Sequence, residues 1–375
     1  MKSNSEGSDP GNISRDQLEL VACGPEHRAE QAELFAACFK KGDGPEHLGW
    51  RYDDCPHGQS VSIVARPPGG RAISGYACNP RTVLHFGREA TRTTVGETGD
   101  VMTHPDWRKR GIFSDLDRRA MEETGRLGWS AVFGLPNRRS AHIFLELGWE
   151  QVGLIRPHSF VVRKSPASKA ERFKEGRLAA LLTGFHATQC GRAAKRLSQA
   201  AGASFVAERL ERFPEEVEEL ARRVEQNFAF MVRRDAAYLN WRFLDNPSGL
   251  HRAVGIRTRQ GALVGYAVVQ LPRAGSSVGW LVDVLAPDEP ARARAICAGL
   301  DLLREHGAEV IQAHAIDGSF WERCLSGAGF LPPKPENHLI VILYRHDRQH
   351  PAFADGVDAA SWYLTDGDRD DETVG

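Results

Sequence analysis

No stretch of this chain approaches eighteen consecutive apolar residues, so the sequence offers no membrane-spanning helix. The N-terminus is built from Ser, Gly, Asn and Asp instead of a cationic start followed by an apolar core. That argues against a secretion signal, makes the cytoplasm the expected compartment, and leaves Asn12-Ile13-Ser14 without meaning as a glycosylation acceptor. The seven cysteines (Cys23, Cys38, Cys55, Cys78, Cys190, Cys297, Cys324) lack any Cys-x-x-Cys spacing and read as reduced thiols. Absent too are a Gly-Lys-Ser/Thr phosphate loop, a His-Glu-x-x-His pair and a Gly-x-Gly-x-x-Gly run. The histidines show no metal-ligand spacing, so no metal is expected. A formal net charge of -1 is not the basic surplus of a general nucleic-acid binder.

Two look-alikes also fall away. Gly275-Ser276-Ser277-Val278-Gly279 fits a nucleophile elbow but sits between two strands, where a hairpin turn is expected. Asp366-Gly367-Asp368-Arg369-Asp370 starts like a calcium loop, yet Asp371 replaces the needed glycine and no bidentate Glu follows.

What the chain does have is length and repetition. Its 375 residues, 41% hydrophobic and 26% charged, suffice for two ordinary domains with full cores. His47-Leu48-Gly49-Trp50-Arg51-Tyr52-Asp53-Asp54-Cys55-Pro56-His57-Gly58 returns as Tyr238-Leu239-Asn240-Trp241-Arg242-Phe243-Leu244-Asp245-Asn246-Pro247-Ser248-Gly249, at a constant offset of 191. Gly75-Tyr76-Ala77 returns as Gly265-Tyr266-Ala267, Asp100-Val101 as Asp283-Val284, and Gly148-Trp149 as Gly329-Phe330. The chain reads as one domain written twice. Each copy predicts helices, a strand meander, then helix, strand, helix and a final strand. The boundaries fall at a disordered tail (1–16), a first domain (17–165), a helical linker (166–202), a second domain (203–347) and an acidic tail (348–375). In that last tail Trp362-Tyr363-Leu364 is expected to pack on a domain and the acidic residues after it are not.

The most telling stretch runs from Asp100 to Leu116. A strand ends at Thr103-His104-Pro105, a turn carries Arg108, Lys109, Arg110 and Gly111, and a helix follows in which Phe113, Leu116, Ala120, Met121, Thr124 and Leu127 form an apolar stripe. Cations at a helix N-terminus meet the positive end of the macrodipole, at ~0.3–1 kcal/mol each. The arrangement makes sense if an anion docks there. Gly111 would let the backbone approach it, with the three cations and the first-turn amides neutralising and binding it.

In that setting Arg108-Lys109-Arg110-Gly111-Ile112-Phe113 resembles the acyl-CoA-binding turn of the GNAT superfamily of N-acyltransferases, which reads Gln/Arg-x-x-Gly-x-Gly/Ala. Phe113 departs from the small final residue. Pro136-Asn137, the next helix and Gly148-Trp149 extend the likeness over residues 17–165. The resemblance implies an α/β fold (an α+β mixed sheet) of two tandem GNAT-like domains, each a central mixed sheet flanked by helices. It implies an acyl-CoA co-substrate held by Val101, Met102 and Thr103 on a strand that splays from its neighbour, by Arg108, Lys109, Arg110, Gly111, Ile112 and Phe113 in the turn, and by Asn137. The second copy has Pro290 and no glycine at the turn, so a degenerate domain without CoA is expected there.

Acyl transfer needs a neutral amine, and a free alkylammonium has a pKa near ~10, so a base is required. Glu97 matches the family's strand glutamate, and strand alternation would place it on one face with Val101 and Thr103, with Asp100 on the other. Its plain alternative is a salt-bridged structural carboxylate. The family's Tyr acid maps to Phe144, which has no proton to give. Water or His142 would then serve the leaving thiolate. Trp50-Arg51, Trp241-Arg242, Tyr76 and Tyr266 occur in both copies and read as structural.

The expected function is transfer of an acetyl (acyl) group from acetyl-CoA to the amine of a small polar molecule or amino sugar, with no nucleic-acid partner. Two alternatives stand beside it: aminoacyl transfer from tRNA, and a non-catalytic acyl-CoA-binding sensor or scaffold.

Overall fold

The computed structural model describes residues 13–39, 44–86, 90–162, 177–201, 204–349 and 357–369. Most of the expected N-terminal tail, the first part of the linker and both flanks of the C-terminal segment therefore lie outside the described residues. The chain divides into two compact units. One comprises Met1–Thr82, Arg92–Gln151 and Ile342–Ala354, the other Val83–Thr91, Val152–Val341 and Asp355–Gly375.

In the first unit, strands β1 (Glu19–Ala22), β2 (Val61–Arg66), β3 (Ser74–Phe86), β4 (Ala90–Thr103) and β5 (Ala131–Gly134) lie side by side in that order. Helices α1 (Arg28–Cys38), α2 (Pro45–Tyr52), α3 (Ile112–Arg126) and α4 (Ala141–Glu146) belong to the same unit. The apolar stripe of α3 buries Leu116, Ala120, Met121 and Thr124, while Phe113 is half-buried. Leu127 does not join it: the helix ends there, ahead of left-handed Gly128, and the side chain is exposed. β5 is buried throughout, as its unbroken apolar run requires.

The last strand of each unit comes from the far part of the chain. β5 pairs antiparallel not with β6 (Glu150–Val161), which follows α4, but with β13 (Leu339–Arg345), through Ile342↔Gly134 to Arg345↔Ala131. β6 pairs antiparallel with β12 (Val310–Ile316) in the second unit, from Val161↔Val310 to Ile155↔Ile316. The two repeats have exchanged their final strands.

The second unit repeats the plan. Its strands run in the order β6, β12, β11 (Val278–Leu285), β10 (Leu263–Gln270), β9 (His251–Thr258), β7 (Phe205–Leu210). Around them come α5 (Arg177–Ala201), α6 (Val217–Glu225), α7 (Ala236–Leu239), α8 (Glu289–Glu305) and α9 (Phe320–Gly327). β11 and β12 are parallel neighbours, as β4 and β5 are, and Gly265-Tyr266-Ala267 lies on β10 as Gly75-Tyr76-Ala77 lies on β3. The core joins Ile256, Val269, Leu281, Val284, Ile296, Leu300, Leu303 and Trp321 to Phe160 of the exchanged strand. A short strand β8 (Phe230–Val232) pairs in parallel with β14 (Trp362–Tyr363) from the C-terminal segment. Among the described residues no helix is long and apolar enough to cross a membrane.

Candidate active site

The basic turn is open to solvent. Arg108, Lys109 and Gly111 are exposed and Arg110 is half-buried, lying 5.0 Å over the ring of buried Trp107. Arg108 donates from Nε to the carbonyl of Thr103 at 3.1 Å, which ties the turn to the end of β4. Lys109 and Gly111 both take left-handed backbone angles, φ +64° and +75°. For Lys109 that is a strained conformation of the kind that collects at functional sites. Gly111 is also the N-cap of α3 and supplies no side-chain acceptor to its first amides. Buried Ile112 then fixes the helix to the core, and Phe113 lies 6.1 Å from Tyr76 and 5.0 Å from Phe144, centroid to centroid.

Beside this turn β4 runs on past the end of β5. β4 pairs with β5 only from Val95↔Ala131 to Thr98↔Gly134, although β4 continues to Thr103. The pairing stops where β5 itself ends, at Gly134. Past it come half-buried Val101 and Thr103, with buried Met102 between them. Asp100 is left-handed (φ +50°), and this irregularity interrupts the alternation that would place Glu97 on one face with Val101 and Thr103.

Both candidate carboxylates are held by arginine. Glu97 is 1% exposed and accepts from Nη2 of buried Arg81 at 2.9 Å. Asp100 accepts from Nη1 of Arg51 at 2.6 Å and from the hydroxyl of Tyr52. Arg51 therefore has a definite task in the first repeat. Its counterpart Arg242 instead donates to the carbonyls of Gly367 and Arg369.

Phe144 is buried, stacked edge-on against Trp149, and His142 is exposed on α4. Asn137 is exposed at the head of α4, where its carboxamide oxygen accepts from the amides of Arg139 (2.9 Å) and Ser140 (3.2 Å).

Three residues enter the site that sequence reasoning missed. Arg81 carries no local signal, since its partner Glu97 lies on another strand. Arg15, on a short turn over Arg15–Gln17, pairs with Asp115 in the first turns of α3, and a Cβ on Gly111 would sit 2.6 Å from its Nη1. Asp117 had a readable sign: a carboxylate within the apolar stripe of α3. It is buried and accepts from the Tyr76 hydroxyl at 2.8 Å and from Trp149 Nε1 at 3.2 Å, and burial pushes its pKa up to about 6.

At the equivalent corner of the second repeat, Asp288 is the N-cap of α8 and accepts from the amide of Ala291 at 2.8 Å, with Pro290 inside the first turn. A carboxylate of the chain's own caps the helix end that the first repeat leaves without one.

Residues 22–152 match the family model of the GNAT acetyltransferase domain. No curated protein matches the sequence closely enough to count as a relative. Solved structures share the fold across most of the chain. A probable N-acyltransferase of Enterococcus faecalis superposes with a TM-score of 0.60 at 13% identity, covering 88% of this chain and 72% of its own. A tandem GNAT protein from the clavulanic acid biosynthesis pathway gives 0.54 at 14% identity, covering 88% and 98%. A GCN5-related N-acetyltransferase from Anabaena variabilis gives 0.58 at 13% identity, covering 88% and 73%.

Proposed function

We propose that this chain, in which residues 22–152 form a GNAT acetyltransferase domain within a tandem GNAT fold, moves an acetyl group from acetyl-CoA to the amine of a small polar molecule or amino sugar. The observation that carries the reading is the corner between β4 and α3. There a helix N-terminus without a side-chain cap, exposed Arg108 and Lys109, half-buried Arg110 and two left-handed residues stand beside the stretch of β4 that runs on past the end of β5.

In this reading Arg108, Lys109 and Arg110 neutralise the diphosphate, and the amides of Gly111, Ile112 and Phe113 hydrogen-bond to it. Val101, Met102 and Thr103 line the donor's path between the strands, and Asn137 meets it from the other side. The amine nitrogen attacks the thioester carbon, the C–S bond breaks, and the sulfur leaves as a thiolate. Glu97 takes the ammonium proton through water. With Phe144 unable to donate, water protonates the thiolate, a tolerable leaving group at pKa ~8.5.

Asp100 is a second candidate for the base, favoured by its strained backbone on the stretch of β4 that runs on past the end of β5. Measuring pH–rate profiles of Glu97→Gln and Asp100→Asn separates the two, because only loss of the true base removes the acidic limb. If neither profile changes, neither residue is the base.

A non-catalytic acyl-CoA sensor is the other reading, favoured by buried Phe144 and by the Arg81 partner on Glu97. Titrating released thiol while purified protein meets acetyl-CoA and a panel of amines decides between them. Turnover supports the transferase. Thermal stabilisation by CoA with no thiol released supports the sensor.

A further inference from the structure

The C-terminal segment lies where the second repeat's strands divide. β11 and β12 pair in parallel only from Val278↔Val310 to Trp280↔Gln312, so Asp283, Val284 and His314 all lie past the last paired residues. Residues 362–369 bond to each of these. The Tyr363 hydroxyl donates to the carbonyl of Val284. The Thr365 hydroxyl donates to Asp283 at 2.9 Å. Asp366 accepts from the backbone amide of His314 at 2.7 Å and meets its Nδ1 at 2.7 Å.

The rest of the segment is equally committed. Arg234, fully buried, donates to Asp368 at 2.7 Å and to Asp283 at 3.4 Å. Arg242 holds the carbonyls of Gly367 and Arg369. Trp362 stacks on Phe230 at 4.4 Å. Trp362, Tyr363, Leu364, Thr365, Asp366, Asp368 and Arg369 are all buried, which corrects, for Asp366 and Asp368, the expectation that the acidic residues after Leu364 stay off the domain; Asp370, Asp371 and Glu372 lie outside the described residues. Arg234 and Arg369 compensate the charges of Asp368 and Asp366, and His314 adds hydrogen bonds to Asp366.

We propose that the cleft between β11 and β12 is a polypeptide-binding site whose ligand is the chain's own segment 357–369, so that the second repeat holds peptide where the first repeat holds its acyl donor. The comparison with the first repeat rests on the function proposed above; the peptide site itself does not. The segment uses the Tyr363 hydroxyl and the Asp366 carboxylate to reach one main-chain group on each of the two diverging strands, and the Thr365 hydroxyl to reach the Asp283 side chain, which is how a bound ligand satisfies such groups. Asp288 meanwhile caps α8, so the phosphate corner of this repeat is already filled.

The test is to place a protease site within residues 350–356 of the full chain, cut it, and pass the nicked protein over a sizing column. The fragment 357–375 stays with the protein and exchanges slowly for excess labelled peptide of the same sequence. Peptides carrying Thr365→Val or Asp366→Ala compete about tenfold or more weakly, as expected for loss of a buried hydrogen bond to a charged group. Loss of the fragment with the nicked protein still folded and its melting temperature unchanged overturns the proposal. If the nicked protein precipitates, Thr365→Val/Asp366→Ala in the uncut chain replaces it. A lowered melting temperature is then expected, and an unchanged one overturns the proposal.

CoA titration of the intact protein gives one site per chain. Two sites overturn the peptide assignment. No site at all removes the transferase reading and leaves the peptide result standing.

Discussion

The first turns of α3 and α8 stand at the same place in two copies of one fold and have opposite chemistry. α3 begins at left-handed Gly111, behind three cations and with no side-chain cap. α8 begins at Asp288, whose carboxylate accepts from Ala291, and carries Pro290 where the other copy keeps an amide. A helix N-terminus asks for negative charge. The second repeat supplies it at the N-cap from its own chain; the first has Asp115 in the first turn, paired with Arg15, but no side chain at the N-cap, and the proposed diphosphate site uses that position. The strands differ as well, for Glu97 on β4, paired with Arg81, is matched at the corresponding position of β11 by Trp280, stacked on His314 at 5.2 Å. Both copies bury charge at this place, and the second covers it with aromatic rings and its own C-terminal segment.

The sharpest break in this contrast comes from Glu97. Glu97→Gln lowers kcat by about 10²–10⁴-fold, the usual contribution of a general base, with the deficit shrinking toward low pH where the wild type's acidic limb falls, while CoA affinity is unchanged. Replacing Trp280 with Phe leaves kcat as it was, and steady-state kinetics on both variants checks the pair.

Next in size is the cradle. Arg108→Ala/Arg110→Ala weakens CoA binding roughly tenfold to a hundredfold, from loss of charge-assisted contacts partly screened by solvent. Gly111→Asp puts a carboxylate at the N-cap position, in a left-handed backbone and against Arg15, and weakens binding at least as much through charge and strain. Calorimetric titration measures both, and undiminished affinity in either would remove the diphosphate from this corner.

Asp117 gives a pH test confined to the first repeat. Its folded pKa of about 6 lies above the ordinary carboxyl value near 3.8, so the protonated form is favoured by folding. The stability it contributes is complete below about pH 4 and is lost as pH rises through 6, a difference of roughly 2–3 kcal/mol. Asp117→Asn cannot ionise. Chemical denaturation should show the wild type losing stability across that window and the variant holding level.

The smallest effects come from the paired tyrosines and the cap. Tyr266→Phe leaves Asp283 with Arg234 and Thr365 and costs about 1 kcal/mol, whereas Tyr76→Phe leaves Asp117 with Trp149 and moves the Asp117 titration upward. Asp288→Ala costs about 1 kcal/mol of stability and creates no CoA affinity.

The repeat, the basic turn and the buried β5 were legible in the sequence because each rests on local pattern: periodicity, a glycine, an identity at fixed offset. The partners of the carboxylates were not. Arg81 reaches Glu97 across sixteen residues and Arg51 reaches Asp100 across forty-nine, distances at which sequence gives no geometry. Asp100 itself hides a left-handed residue inside an otherwise regular strand pattern. Asp366 and Asp368 looked solvated because an acidic run usually is. Only the fold brings Arg234 and His314 to them.

The exchanged strands set a timetable for synthesis. The first repeat completes its sheet with Ile342–Arg345, which leave the ribosome only when nearly the whole chain has been made. Domains ordinarily finish folding in order of synthesis. Here the earlier half must wait, with the open edge of β5 exposed, for the last strand of the later one. Expressed alone, residues 1–165 would carry that bare edge permanently and are expected to aggregate.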